Sequence, residues 1–366
     1  MLPAPRPELS EIADVAHGAF DFAELERLGV APEDVLDFSV NSNPYGPSPM
    51  VREAISRVPL ERYPDRESLG LRRLLAERLD VPLECILVGN GSAELLWLVA
   101  LAFLRLGDAV LIVGPTFGEY ARAAAVMGAQ VRYWTARPEE AFTVQPAAVL
   151  QALQQGQPRL AFLCNPNNPT GAYLTPGAIV TWARVLPQTL FVVDEAYLPF
   201  AAEADSVFST AATNILVLHS MTKAHALAGL RLGYAVGHPE VIGLLAKVRP
   251  PWSVNALAQA AGMAALHDQA HLTQTLAQVA RAKDALVQGL RDLDLTPVPS
   301  TTHFFLCKVG TATALRQALL RYGTQVRDCA SFGLPEYIRI ATRRPAENAR
   351  LLTALARALP LAGGFR

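Results

Sequence analysis

Five short apolar runs, each closed by a polar or turn-forming cluster, constrain this chain more than any other feature. They are Cys85-Ile-Leu-Val88, Ala109 to Val113, Leu160 to Cys164, Leu190 to Val193 and Ile215 to Leu218. Runs of this length, rich in aliphatic residues and bounded by turn formers, read as strands buried on both faces. Helical crossovers bring the ends of parallel strands to one edge of a sheet. Open α/β sheets hold their ligand chemistry at that edge. The expected fold is α/β with a mostly parallel sheet. From Trp252-Ser-Val-Asn255 the pattern turns helical to about Leu290 and then reads strand, helix, strand, strand, helix. That is a smaller α+β module. The expected division is an arm over residues 1–40 that also forms part of the small domain, a large domain over 41–255 and the small domain over 256–366.

The residues that close the runs carry chemistry. Val88-Gly89-Asn90-Gly91-Ser92-Ala93-Glu94 joins a strand to a helix through glycines. Such a turn points free N–H groups and a helix dipole at an anion, although a plain turn capped by Ser92 has the same pattern. Tyr120 falls in the first turn of the helix after the second run. Asn165-Pro-Asn167-Asn168-Pro-Thr-Gly171 places amides that can cap the backbone or donate to a ligand. Asp194-Glu195-Ala-Tyr197 ends a buried strand in two carboxylates, and a buried acid needs a partner. A protonated ring nitrogen would be one; a metal or a helix end would be others. Ser220-Met-Thr222-Lys223, with Arg231 eight positions on, offers an amine for a cofactor aldehyde and hydroxyls with a guanidinium for a phosphate. Arg339 alternates with Ile338 and Ile340, so it faces either solvent or a cleft.

The bulk numbers exclude several classes. A net charge of −1 argues against a nucleic-acid binder. The 366 residues, 51% of them hydrophobic, suffice for a large core and two domains. Cys85, Cys164, Cys307 and Cys329 lack metal-type spacing; three of them lie within or at the end of apolar runs and read as buried small hydrophobes, which fits a reducing cytoplasm. The start of the chain has no apolar stretch of the secretory type, and Leu95 to Leu104 is too short to span a bilayer. No metal site is expected.

Taken together, a phosphate turn, an aromatic, an amide, an acid and a lysine suit pyridoxal 5'-phosphate. In these motifs, from about Leu36 to Ala358, the chain resembles fold-type I pyridoxal-phosphate enzymes of the class I/II aminotransferase family. That resemblance implies a three-layer α/β/α large domain. It also implies roles. Lys223 would hold the cofactor aldehyde and move protons, and Asp194 would pair with the ring nitrogen. Asn168 and Tyr197 would bond the ring's 3′ oxygen, and Tyr120 would stack on the ring. Gly91, Ser92, Ala93, Ser220, Thr222 and Arg231 would bind the phosphate. Tyr63 would cross to a partner's site in a homodimer. His17, Asn43, Tyr45, Arg327 and Arg339 would bind the substrate, a small phosphorylated amino compound. Within the family, Asn43-Pro-Tyr45-Gly-Pro-Ser-Pro and Tyr63-Pro-Asp65 are similar to histidinol-phosphate aminotransferases. His17-Gly18, Leu36-Asp-Phe-Ser-Val-Asn, Met221-Thr-Lys223 and Val326-Arg327-Asp-Cys-Ala are similar to threonine-phosphate decarboxylases of corrinoid (cobalamin) synthesis. The expected activity is decarboxylation of L-threonine O-3-phosphate, with transamination of histidinol phosphate as the alternative.

Overall fold

The computed structural model describes residues 3–4, 6–12, 15, 17–209 and 212–362. In chain order its principal elements are α1 (Phe22–Leu28), β1 (Leu36–Asp37), α2 (Pro49–Ser56), α3 (Leu69–Leu79), β2 (Ile86–Gly89), α4 (Gly91–Phe103), β3 (Ala109–Gly114), α5 (Glu119–Val126), β4 (Gln130–Thr135), α6 (Pro146–Gly156), β5 (Leu160–Cys164), α7 (Pro176–Val185), β6 (Leu190–Asp194), β7 (Ile215–Ser220), β8 (Gly233–Gly237), α8 (Pro239–Val248), α9 (Ala256–His267), α10 (Gln269–Arg291), β9 (Phe304–Lys308), α11 (Ala312–Leu320), β10 (Thr324–Gln325), β11 (Arg327–Asp328), β12 (Tyr337–Ala341) and α12 (Pro345–Ala358).

Seven strands form the large sheet in the order β2-β8-β7-β6-β5-β3-β4. Its strands from β4 to β7 pair in parallel, and β8 runs antiparallel between β2 and β7. Every residue of β5 and β6 is buried, as their unbroken apolar sequences require. Alternate side chains serve opposite faces. Ile112, Phe162, Val192 and Leu216 pack with α4 residues such as Leu95 and Val99. Leu111, Leu163, Val193 and Val217 pack with Val149 of α6 and Trp182 of α7. Helices on both faces make the three layers. The two strands not read from the sequence lack an apolar run. β4 is a half-exposed edge strand, and β8 is Gly-Tyr-Ala-Val-Gly.

The small domain is the sheet β11-β12-β9 under α10, α11 and α12. The arm joins it: β1 pairs in parallel with β10, and Phe38 is fully buried among Leu286, Phe305 and Ile338. The expected boundary at 255/256 falls one helix too early. α9 buries Ala258, Ala261 and Leu266 against Leu71 and Leu75 of α3, on the large domain. Asp268 then caps α10 by accepting from the His271 N–H, and the chain crosses over there.

Candidate active site

The edge formed by the C-terminal ends of β5, β6 and β7 opens into a cavity of about 450 Å³. At its floor, Gly91 adopts φ +80° and starts α4, which leaves the first-turn N–H groups of that helix unbonded within it. The left-handed φ at position 91 favours glycine, and the missing Cβ leaves room for Arg231, whose Nη2 would lie 2.9 Å from it. Ser220 and Thr222 share a hydroxyl contact of 2.6 Å beside it. Gly233, opposite Ser220 in the ladder, abuts the Ser92 amide: a Cβ there would meet that nitrogen at 2.5 Å. Helix start, hydroxyls and guanidinium thus form one cradle of anion-binding character.

Asp194 ends β6, almost fully buried. Its Oδ2 accepts from Tyr120 Oη at 2.8 Å and its Oδ1 from the Ala196 N–H at 3.0 Å. Burial pushes its carboxyl up, while Tyr120, the Ala196 amide and Lys223 pull the other way. A cationic group beside it would offset the burial. Lys223 follows β7, its Nζ 5.9 Å from the centroid of the Tyr197 ring. Burial, then Arg339 and Arg231, bring its amine down to about 8, which makes the neutral, nucleophilic form accessible. Burial also raises the Tyr197 phenol.

The asparagine turn divides its labour. Asn165 exchanges two hydrogen bonds with Leu174, and Asn167 donates to the Pro115 carbonyl and to Thr170. Asn168 alone lines the cavity, where its Oδ1 accepts from Arg339 Nη1. Arg339 is buried and faces the cavity, not solvent; its Nη2 donates to the Ser39 carbonyl at 2.6 Å. Arg327 stands directly opposite it in the β11–β12 ladder, also buried and on the cavity wall. His17 closes the wall from the arm, with Nε2 3.2 Å from Glu119 Oε1.

Four expected site residues lie elsewhere. Tyr120 does not line the cavity: it stacks on Phe162 at 5.5 Å beneath Asp194, and the aromatic wall is Phe117 instead. Asn43 is saturated, donating to the Ala224 carbonyl and Thr275 Oγ1 and accepting from the Tyr45 N–H, so it holds the loop. Tyr45 packs under the Arg344 guanidinium, 5.4 Å from its ring centroid. Tyr63 projects into solvent, 81% exposed, against Trp252. Besides Phe117, the sequence reading passed over Ser39, Asn41, Glu119 and Phe332 on the cavity wall. Nearness to a strand end singles out Phe117, two residues past Pro115; the other four carry no comparable signal.

The donor set fits pyridoxal 5'-phosphate. The glycine cradle suits a phosphate, the buried carboxylate suits a cationic ring nitrogen, and the depressed lysine suits an aldehyde. No group of acidic, histidine or cysteine side chains that could hold a metal occurs among the described residues.

Several known proteins are similar to this chain. The model of the family described as aminotransferase class I and II matches residues 33–355. The histidinol-phosphate aminotransferase of Symbiobacterium thermophilum is 39% identical over 89% of this chain and 91% of its own length. A second, from Thiobacillus denitrificans, is 37% identical over 98% and 94%. Among solved structures, L-threonine-O-3-phosphate decarboxylase from Porphyromonas gingivalis superposes with a TM-score of 0.79 at 30% identity, covering 88% of this chain and 99% of that one. The histidinol-phosphate aminotransferase of Sinorhizobium meliloti in complex with pyridoxal-5'-phosphate shares the fold, with a TM-score of 0.88 at 24% identity over 99% of each chain. With its family model covering most of its length, and its lysine, buried carboxylate and phosphate cradle at one sheet edge, the chain belongs to the aminotransferase class I and II family.

Proposed function

We propose that the chain is a pyridoxal 5'-phosphate-dependent aminotransferase of a small phosphorylated amino compound, with histidinol phosphate the first candidate. The observation that carries this is the Arg327–Arg339 pair. Two guanidiniums directly opposite each other on neighbouring strands repel. Burial lowers both of their pKa values, and Arg339 lowers that of Arg327 further. A bound phosphate would neutralise both through charge-assisted bonds. The curated relatives named above support histidinol phosphate over the decarboxylase substrate favoured by the sequence motifs.

The cofactor supplies an aldehyde that captures amines and a cationic ring that withdraws electrons from the substrate's α-carbon. The chain does the rest. Asp194, held by Tyr120 and the Ala196 amide, keeps a negative charge against that ring. Asn168 and Tyr197 present an amide and a phenol to its oxygen. Lys223, at about 8, takes and returns protons near neutral pH. Arg327 and Arg339 hold the substrate's far end, so the bond that breaks is set by how the anion is gripped.

A second reading is decarboxylation of threonine phosphate. It is favoured by His17 joining the arginine pair, because that substrate carries two anions. The test gives the purified holoenzyme histidinol phosphate with 2-oxoglutarate, and phosphothreonine alone. Glutamate formed in the first mixture supports transamination. Carbon dioxide from the second, with no glutamate from the first, replaces it by the second reading. Silence in both rejects both.

The proposed unit is a homodimer. The Tyr63 and Trp252 rings lie 4.8 Å apart and both are exposed, the kind of apolar surface a second copy would cover. Free, buried thiols fit a reducing cytoplasm, and no helix among the described residues is long and apolar enough to cross a membrane.

A further inference from the structure

Glu119 is out of place electrostatically. It lines a cavity whose other walls include Lys223, Arg231, Arg327, Arg339 and the His17 imidazole, and which is proposed to receive an anion. A carboxylate there opposes the ligand by Coulomb's law. Yet it is only 8% exposed and firmly held. Its Oε2 accepts from Trp97 Nε1 at 3.2 Å, Arg122 Nη1 lies 3.7 Å from Oε1, and His17 Nε2 lies 3.2 Å from the same oxygen.

His17 is fixed from its other side as well. Its carbonyl accepts from Arg327 Nη1 at 3.0 Å, and the Ala19 N–H donates to Ser39 Oγ at 3.0 Å. Gly18 lets the arm lie this close, since a Cβ there would come within 2.5 Å of the Ser39 carbonyl oxygen. The backbone of the arm is therefore seated on the substrate wall, and what remains to be set is the direction of the His17 ring.

We propose that Glu119 is a positioning residue, which acts through His17 on recognition of the substrate's anionic group. By taking the Nε2 hydrogen it leaves Nδ1 as the ring nitrogen turned to the ligand. A ring with a hydrogen on each nitrogen can then donate to the fixed carboxylate through one and to the incoming anion through the other. Trp97 holds the carboxylate by its other oxygen, in the orientation that meets His17. This rests on the reading that the cavity binds a phosphorylated amino compound.

The sign of one substitution separates this role from that of a bystander. If Glu119 were only a nearby charge, Glu119→Gln would tighten anion binding. If it orients His17, the same change weakens binding, because Trp97 and His17 meet different oxygens of the carboxylate and the amide puts an NH2 donor in place of one of them. The measurement is calorimetric titration of inorganic phosphate into holoenzyme, whose cofactor cradle is already filled. His17→Ala is expected to weaken phosphate about tenfold, Glu119→Gln about fivefold, and the double variant no more than His17→Ala alone. Trp97→Phe is expected to fall between wild type and Glu119→Gln, with no effect in the His17→Ala background. It serves in place of Glu119→Gln should that protein fail to retain the cofactor absorbance. In turnover the loss is expected in KM, with kcat within about twofold. Equal or tighter phosphate binding by Glu119→Gln, additivity in the double variant, or no phosphate binding by the wild type would each overturn the proposal. A normal phosphate cycle in an enzyme inert to both substrates would instead count against the substrate reading alone.

Discussion

Two adjacent carboxyl groups, Asp194 and Glu195, close the same buried strand, and each is solved differently. Asp194 accepts from Tyr120 and the Ala196 N–H, behind the cavity wall at the strand end. Glu195 faces inward, with no exposure, and accepts from Ser206 Oγ at 2.6 Å and from the Val207 N–H at 2.8 Å. Burial raises it from 4.5 to about 7. His219, 3.8 Å away, is pushed down to about 4 by its own burial, so it brings no charge to Glu195 near neutrality. The folded-state value lies above the unfolded one. Stability from this group is therefore complete below about pH 4.5 and is lost as pH rises toward about 7. Glu195→Gln keeps the shape and removes the titration. Urea unfolding of the cofactor-free protein should find the variant near parity with wild type at pH 4.5 and more stable at pH 8, by on the order of 3 kcal/mol. A gap that stays constant across that range would show that Glu195 does not titrate there. This inward acid was invisible in the sequence, where Asp194-Glu195 reads as two equivalent charges. The same limit explains Tyr120. Two aromatics three positions apart, at the entrance of a helix, do not announce which one meets the cavity and which one meets the acid behind it. Asn41 and Asn43 sit two apart in a loop, where no period fixes which amide points inward.

The elements were legible wherever burial on both faces forced an unbroken apolar run. All five such runs are strands, and their ends do meet at one edge. β8 was not legible because its identity comes from its neighbours. Gly233 is there because helix α4 begins against it: a Cβ would lie 2.5 Å from the Ser92 nitrogen, 2.8 Å from the Gly91 carbonyl carbon and 2.8 Å from the His219 oxygen. These are backbone atoms on two sides and cannot rotate away. Gly233→Ala should force α4 off the sheet and spread the phosphate cradle. Overpacking of this kind costs about 1–3 kcal/mol in stability, and the cradle should release the cofactor at least about tenfold more readily on dialysis. Gly229→Ala is the control, since nothing lies within 4 Å of its added carbon. Cofactor absorbance after dialysis reports both variants, and equal retention would mean that the cradle tolerates the shift. The register of the small domain follows the same logic. Arg339 on β12 could have faced either way from alternation alone, and only its pairing with Arg327 of β11 and its bond to Asn168 turn it into the cavity.

At the scale of the whole molecule, the cavity belongs to no single domain. Lys223, Tyr197 and Asn168 come from the large sheet, Arg327 and Arg339 from the small one, and His17 from the arm. The arm is bolted to the small domain by β1, by Phe38 and by the paired contacts of Glu24 with Arg316 at 2.8 and 2.5 Å. Movement of the small domain would carry the Arg327 and Arg339 guanidiniums and the His17 ring with it. Tyr63, from the motifs, remains outside this account, because it is exposed and does not line its own chain's cavity. If it completes the site of a second copy, each active site draws Lys223 from one chain and Tyr63 from the other. Symmetry then makes a sharp prediction. Lys223→Ala dimers are dead at both sites, and Tyr63→Ala dimers are impaired at both. Unfolding and reassembling the two variants together gives hybrids in which one site carries both defects and the other carries neither. Half of a random dimer pool is hybrid, so about one quarter of all sites should regain wild-type activity. Separately refolded variants mixed afterwards should not. If the co-refolded pool shows only the average of its parents, Tyr63 serves its own chain or none, and the dimer would have to rest on the apolar patch alone.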